Sequence, residues 1–202
     1  MIVATVEAKP DEAMKDWTVE DLKAIKQQQL IELYKTLPCP TMEEMTGEFK
    51  GDLLDQGPFR LVKNIFAYFA LHAPFVNGAW QGKGFTLTSD TEGKGYNHYK
   101  KFGKERYIFP MKTKITKSVF DGKDNFELDY TAYTAYRSQA SLINMIDEVR
   151  KVNDDLYLGI GTWGYIRRQR MNPWFFSLSG PRVPYAGIKP YRERNRKFSR
   201  YA

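Results

Sequence analysis

The sequence has little of what most catalytic and metal-binding chemistry needs. One cysteine, Cys39, and two histidines leave no internal disulfide and no cysteine-histidine zinc site. There is no Walker loop, no Gly-x-Ser-x-Gly elbow and no His-Glu-x-x-His, so the common nucleotide, acyl-transfer and metalloprotease signatures are absent. The longest apolar run, Ile65 to Leu71, falls far short of the roughly 20 residues that cross a bilayer as a helix. No positively charged leader followed by an apolar stretch opens the sequence, and a cytoplasmic location is expected. No repeat of solenoid or propeller length is visible.

What is present suits a single domain with a large core: 202 residues, 42% hydrophobic and 15% aromatic. The net charge of +7 sits mostly at one end, where residues 189 to 202 carry six basic side chains against Glu193. Such a tail, with Tyr191, Phe198 and Tyr201 interleaved, has the makings of an RNA contact. The expected strands carry no basic stripe, however, so nucleic acid is disfavoured as a partner. The chain divides into an arm (1–16), a barrel domain with its helix (17–188) and the basic tail (189–202).

Thr18, followed by Glu20 and Asp21, predicts a helix N-terminus; Leu22, Ile25, Leu30, Leu33, Tyr34 and Leu37 form its apolar stripe, and Pro38-Cys39-Pro40 stops it. Met1 to Val6 is a candidate edge strand, and Phe59 to His72 a second helix. From Phe85 onward strands dominate. Phe126 to Tyr136 alternates at period two, with Phe126, Leu128 and Tyr130 on one side and Glu127, Asp129 and Tyr133 on the other. Asp121-Gly122 predicts a hairpin between Met111–Phe120 and Lys123–Tyr136. Ser141–Val152, Leu156–Thr162 and Trp174–Ser179 are read as further strands. Gly82-Lys83-Gly84 and Gly93-Lys94-Gly95 are read as turns flanking a strand. The fold class expected is mainly β: an antiparallel barrel of about eight or more strands with one or two N-terminal helices, closed around room for one small ligand.

Three constellations are candidates for function. His98 and His72 can do acid-base work, or ligate a haem that nothing else in the chain favours; no cofactor is expected. Polar residues within apolar strands, Asp129, Arg137, Asp147, Glu148 and Arg150, must each meet a partner or a ligand if they face inward. Alternation leaves open whether Asp129 and Tyr133 point inward or to solvent. Asp147 shares a face with Met145 and Val149, and is expected either to contact ligand or to pair with an arginine. The third constellation is aromatic: Trp80, Phe85, Tyr96, Tyr130, Tyr133, Tyr136, Trp163, Trp174 and Phe176, whose tyrosine hydroxyls need partners when buried.

Gly47-Glu48-Phe49-Lys50-Gly51, Gly78-Ala79-Trp80-Gln81-Gly82 and Trp80-Gln81-Gly82-Lys83-Gly84-Phe85 resemble elements of a bacterial family, the GXWXG domain, with Phe49 where the family has tryptophan. Leu128 to Ala140, Ile143 to Asp147, Val152 to Ile160 and Trp174-Phe175-Phe176 resemble its companion domain of unknown function, in matching order over about residues 42 to 180. The resemblance implies a lipocalin-like, calycin-type barrel and supplies no catalytic residues.

Together these readings predict binding of a small, largely apolar molecule, with Trp80, Phe85, Tyr96, Asp129, Arg137, Met145, Trp163 and Trp174 as candidate ligand contacts. The alternative is a cofactor-free isomerase, cyclase or hydrolase for an apolar secondary metabolite, with Asp147, His98, Tyr130 and Tyr133 as candidate catalytic residues. Oligomeric state stays open, with a homo-oligomer among the alternatives.

Overall fold

Eight antiparallel strands form a closed barrel in the computed structural model, which describes residues 14–57, 77–133 and 144–187. The strands are β1 (Gly47–Leu53), β2 (Ala79–Leu87), β3 (Glu92–Lys101), β4 (Lys104–Lys117), β5 (Asp124–Asp129), β6 (Ile146–Asn153), β7 (Leu156–Thr162) and β8 (Trp174–Val183). Each pairs with the next, and β1 pairs with β8 to complete the ring. Helices α1 (Val19–Ala24) and α2 (Gln27–Thr36) precede the barrel, and the short α3 (Arg167–Arg170) lies between β7 and β8.

The period-two alternation sorts the strands' residues between two hydrophobic layers. One buried cluster takes Phe49 from β1, Phe85 from β2, Tyr99 from β3, Met111 from β4, Phe126 and Leu128 from β5, Val149 from β6, Tyr157 from β7, and Phe176 and Leu178 from β8. A cluster drawing on every strand occupies the barrel interior. The second contains Leu22, Leu30, Tyr34 and Leu37 with Val152, Leu156, Leu158, Ile160 and Phe175, so the helices cover the outer face of β6, β7 and β8. Every residue of β7 is therefore buried. Gly159 belongs to its inner face, where a Cβ would lie 2.2 Å from the Phe176 ring.

The expected helix from Thr18 to Leu37 is divided. Thr18 does cap α1, with its hydroxyl accepting from the Asp21 amide at 3.4 Å and its own amide donating to the Asp21 carboxylate at 2.7 Å. Ile25 and Lys26 are extended, and α2 restarts where the Gln27 amide donates to Asp55 at 3.1 Å. A contact with the barrel's β1–β2 connection thus overrides local helical preference. α2 is fixed to β6 by the Tyr34 hydroxyl donating to Glu148 at 3.1 Å and by Arg150 donating to the Tyr34 carbonyl at 2.9 Å.

Other boundaries differ from expectation. Gly82-Lys83-Gly84 and Gly93-Lys94-Gly95 lie inside β2 and β3, not in turns. The turn between those strands falls at residues 88 to 91 instead. Gly82 (φ 144°) sits at a β-bulge so close to β1 that a Cβ would meet the Phe49 carbonyl oxygen at 1.9 Å. Here glycine marks backbone contact. β5 stops at Asp129, and Tyr130–Ala132 forms a 3₁₀ turn. The β4–β5 hairpin closes through Ser118 to Lys123 with Gly122 at φ 72°, and β6 begins at Ile146 instead of near Ser141. The Met1–Val6 strand, the Phe59–His72 helix, Tyr136, Arg137 and the tail 189–202 lie outside the described residues.

One end of the barrel is filled. Met42 and Met45 join the interior cluster from a turn in which Thr41 and Glu44 exchange side-chain to backbone bonds at 2.7 and 3.2 Å. At the opposite end β1, β3, β5 and β7 finish and β2, β4, β6 and β8 begin. That end holds Lys83, Asn97, Tyr130 and Asp147.

Candidate functional site

Lys83 and Asn97 face each other across the β2–β3 ladder, while Asp147 in β6 pairs with Leu128 of β5 and Gly161 of β7. Tyr130 follows directly after β5. These four meet inside the barrel, where Asp147 is 0% and Lys83 3% exposed. The Lys83 ammonium donates to Asp147 Oδ2 at 3.0 Å, to Asn97 Oδ1 at 3.0 Å and to the Tyr130 hydroxyl, so each of its three protons has an acceptor. Tyr130 donates to Asp147 Oδ2 at 3.1 Å and accepts from Asn97 Nδ2 at 2.9 Å; Trp80 Nε1 donates to Asn97 Oδ1 at 3.1 Å.

Removing a lysine and an aspartate from water costs several kcal/mol per ion, which only close pairing and further hydrogen bonds offset. Here burial pushes the Asp147 carboxyl above the usual carboxylate range, against the pull of Lys83. Burial likewise pushes the Lys83 ammonium below the usual lysine range, against the pull of Asp147. The Tyr130 hydroxyl is driven upward by burial and by the Asp147 charge. Burial thus draws the proton affinities of Lys83 and Asp147 towards each other, while that of Tyr130 moves further up.

The cluster underlies a small aromatic cleft at the barrel's end. Leu53, Trp80, Met145, Trp174 and Phe176 line it together with Lys83, Asn97, Tyr99, Asp147 and Gly161, around a cavity of about 30 Å³. Trp80 meets Phe176 edge to face, with ring centroids 6.2 Å apart, and the Lys83 ammonium lies 4.9 Å from the Phe176 centroid. Most of the interior below is filled by the protein's own aromatic and aliphatic side chains. Two buried polar atoms have no hydrogen-bond partner among the described residues that line this cleft: Asp147 Oδ1 and the Tyr99 hydroxyl.

Of the residues expected from sequence to form a site, Trp80, Tyr130, Met145, Asp147 and Trp174 converge at this end of the barrel. Asp147 pairs with a lysine rather than an arginine; Arg150, on the other face of β6, instead holds Asp121 through two bonds of 2.7 Å. Phe85 is deeper in the interior, between Phe49 and Phe126. His98 and Tyr96 are on the outer wall: His98 sits between Glu48 (3.3 Å) and Glu105 (2.5 Å), and Tyr96 stacks on Tyr185 at 4.8 Å. Asp129 is also on the outer side of β5 and is 1% exposed, and its carboxylate accepts from the Thr131 amide and hydroxyl. Tyr133 is buried after the 3₁₀ turn, and Trp163 is 36% exposed in the β7–β8 connection, outside the cleft lining.

Lys83 and Asn97 were not among the sequence candidates. The available signal was a lysine between two glycines in phase with Phe85, since glycine within a strand marks a close backbone approach and Lys83 then shares the face of the core phenylalanine. A larger groove of about 710 Å³ lies elsewhere, lined by Cys39, Glu44, Lys151 and Asp154 among others. Its lysine is held by Glu44 at 2.6 Å and Asp154 at 2.8 Å, and burial pushes the Cys39 thiol up to about 11. Those solvated ion pairs make it a weaker candidate than the buried cleft. Among the described residues, no three or more His, Cys, Asp or Glu side chains gather to hold a metal, and no helix is long and apolar enough to cross a membrane.

No protein-family model and no curated protein matches this chain. Among solved structures, a protein from Thermomonospora curvata superposes with a TM-score of 0.50 at 17% identity, over 77% of this chain and 87% of its own. At that identity the likeness shows the fold alone.

Proposed function

We propose that this protein binds a small, largely apolar molecule at the aromatic end of its barrel, as a lipocalin-like protein of the kind the GXWXG resemblance implies. The carrying observation is the cleft between Trp80, Trp174 and Phe176, which ends on the buried Lys83–Asp147 pair. Apolar walls with few fixed polar groups suit a ligand held by burial and oriented by one polar atom. Trp80, Met145 and Trp174 are the proposed apolar contacts, and Asp147 the polar one. Native and denaturing mass spectrometry of protein purified gently from its host tests this reading: the expected result is a small mass that leaves on unfolding and is reduced in Trp174→Ala. Retention undiminished in both Trp80→Ala and Trp174→Ala would place binding elsewhere.

A second reading rests on the Tyr130 hydroxyl, bonded at once to Asp147 and Lys83. A buried carboxylate, ammonium and phenol joined by hydrogen bonds beside an apolar cleft supply the acid and base that a cofactor-free isomerase, cyclase or hydrolase needs to move a proton on a bound molecule. Incubating the molecule released on unfolding with wild-type and Asp147→Asn protein separates the readings. Turnover that survives the substitution rejects Asp147 as its base, while binding without turnover in the wild type supports a carrier.

A further inference from the structure

We infer that the polar atom recognised at the bottom of the cleft is a neutral hydroxyl, so that the ligand class is a largely apolar alcohol or phenol. This deepens the binding reading above and rests on it. The inference comes from the two buried, unpartnered groups in the cleft: Asp147 Oδ1, an acceptor, and the Tyr99 hydroxyl, free to donate. Asp147 is 0% and Tyr99 0% exposed, and a buried polar group without a partner is costly enough that native structures rarely leave one. The available volume, about 30 Å³, fits one or two non-hydrogen atoms.

A single group that donates to Asp147 Oδ1 and accepts from Tyr99 satisfies both. A hydroxyl oxygen does this with one heavy atom. The competing head groups each fail on charge, size or hydrogen bonding. An ammonium brings a second buried cation beside Lys83, which already lies 3.0 Å from Asp147 Oδ2. A carboxylate meets the Asp147 carboxylate as a like charge. A ketone or ether oxygen accepts from Tyr99 but leaves Asp147 Oδ1 without a donor. A carboxamide needs more heavy atoms than the cavity takes.

The backbone supports the same placement. Gly161 faces Asp147 across the β6–β7 ladder, and a Cβ there would stand 3.1 Å from Oδ1 and 3.6 Å from the Met145 methyl. The missing side chain keeps Oδ1 reachable from the cleft. The apolar body of the ligand then extends outward between Leu53, Trp80 and Trp174, which lie at the strand ends.

Calorimetric titration at pH 7 with naphthalene, 2-methoxynaphthalene, 2-naphthoate and 2-naphthol, and with cyclohexanol against methoxycyclohexane, tests the inference. The hydroxylated probe of at least one pair should bind about tenfold tighter than its ether, the gain expected of two additional hydrogen bonds, and 2-naphthoate should bind weakest of the naphthalenes. Tyr99→Phe removes a hydroxyl without a partner among the described residues and keeps the ring packed on Phe109, so the variant should fold and lose most of that preference. Equal affinity for alcohol and ether overturns the hydroxyl inference but leaves apolar binding standing. A preference unchanged in Tyr99→Phe also overturns it. Binding of no probe overturns both readings.

Discussion

Gly161 stands directly opposite Asp147 in the β6–β7 ladder, and any side chain there would stand against the second carboxylate oxygen. Gly161→Ala brings a methyl within about 3 Å of that oxygen, tighter than ordinary van der Waals contact. Affinity for 2-naphthol should fall at least tenfold while thermal unfolding shows the variant still folded. Undiminished affinity in a folded variant means that ligand does not approach Asp147 from this side.

Lys83 and Asp147 are expected to be more costly to separate than to replace together. Lys83→Met strands a buried carboxylate and should lower stability by about 3–5 kcal/mol. The double substitution Lys83→Met, Asp147→Leu should recover much of that loss, because neither apolar side chain needs a charged partner. Urea unfolding of the wild type, both single variants and the double variant measures the coupling. Additive losses would contradict the pairing.

The interior of the barrel is packed to contact at Gly159, so an added methyl has no space to occupy. Gly159→Ala sets a Cβ against the Phe176 ring and should cost about 1–3 kcal/mol, read as a lower urea midpoint. Phe176→Leu in the same chain should relieve part of it. A Gly159→Ala protein as stable as the wild type would show that Phe176 has room to retreat.

Glu148 gives a prediction in pH. Burial raises its affinity for a proton in the folded state, against hydrogen bonds from Ser118, Val119 and Tyr34. A carboxyl with a raised folded pKa contributes stability that is complete below its unfolded pKa and is lost as pH rises through the folded one. Glu148→Gln cannot titrate: its carbonyl can accept from the Val119 amide, and its amide can donate to Tyr34 after the phenol rotates. Relative to the wild type, the variant should therefore gain stability as pH rises from 4 through the raised Glu148 pKa. Urea midpoints whose difference stays flat over that interval, or falls, would contradict the shift.

How far the sequence can be read depended on what fixed each element. β7 is legible from Leu156 to Thr162 because turn residues bound a short apolar segment, and both its faces turn out to be covered. The face of β5 was undetermined by alternation alone. It is set by pairing with β6, where Phe126 meets Val149 and Leu128 meets Asp147, so Phe126 and Leu128 point inward. Asp147 was identifiable as a charge among apolar neighbours, whereas its partner was not: Lys83 lies 64 residues away, and its flanking glycines look like turn chemistry until β1 is placed against them. The two halves of the N-terminal helix were hard to tell from one because the Asp55 contact at the break is a tertiary interaction, and the local bond from the Lys26 amide to Gln29 is a weak signal beside it.

The ring closes through β1 and β8, with Glu48 paired to Val183 at one end of the ladder and Leu53 to Phe176 at the other. During synthesis, a nascent chain that has emerged only as far as Thr162 already contains β1 through β7 but presents two unpaired edges, β1 and β7, with no strand to join them. Exposed edges of that kind invite pairing with other chains. Ribosome-bound intermediates should consequently depend on chaperone cover until β8 is released, and folding of the finished chain should be slow for its size, since its last ladder joins distant parts of the sequence.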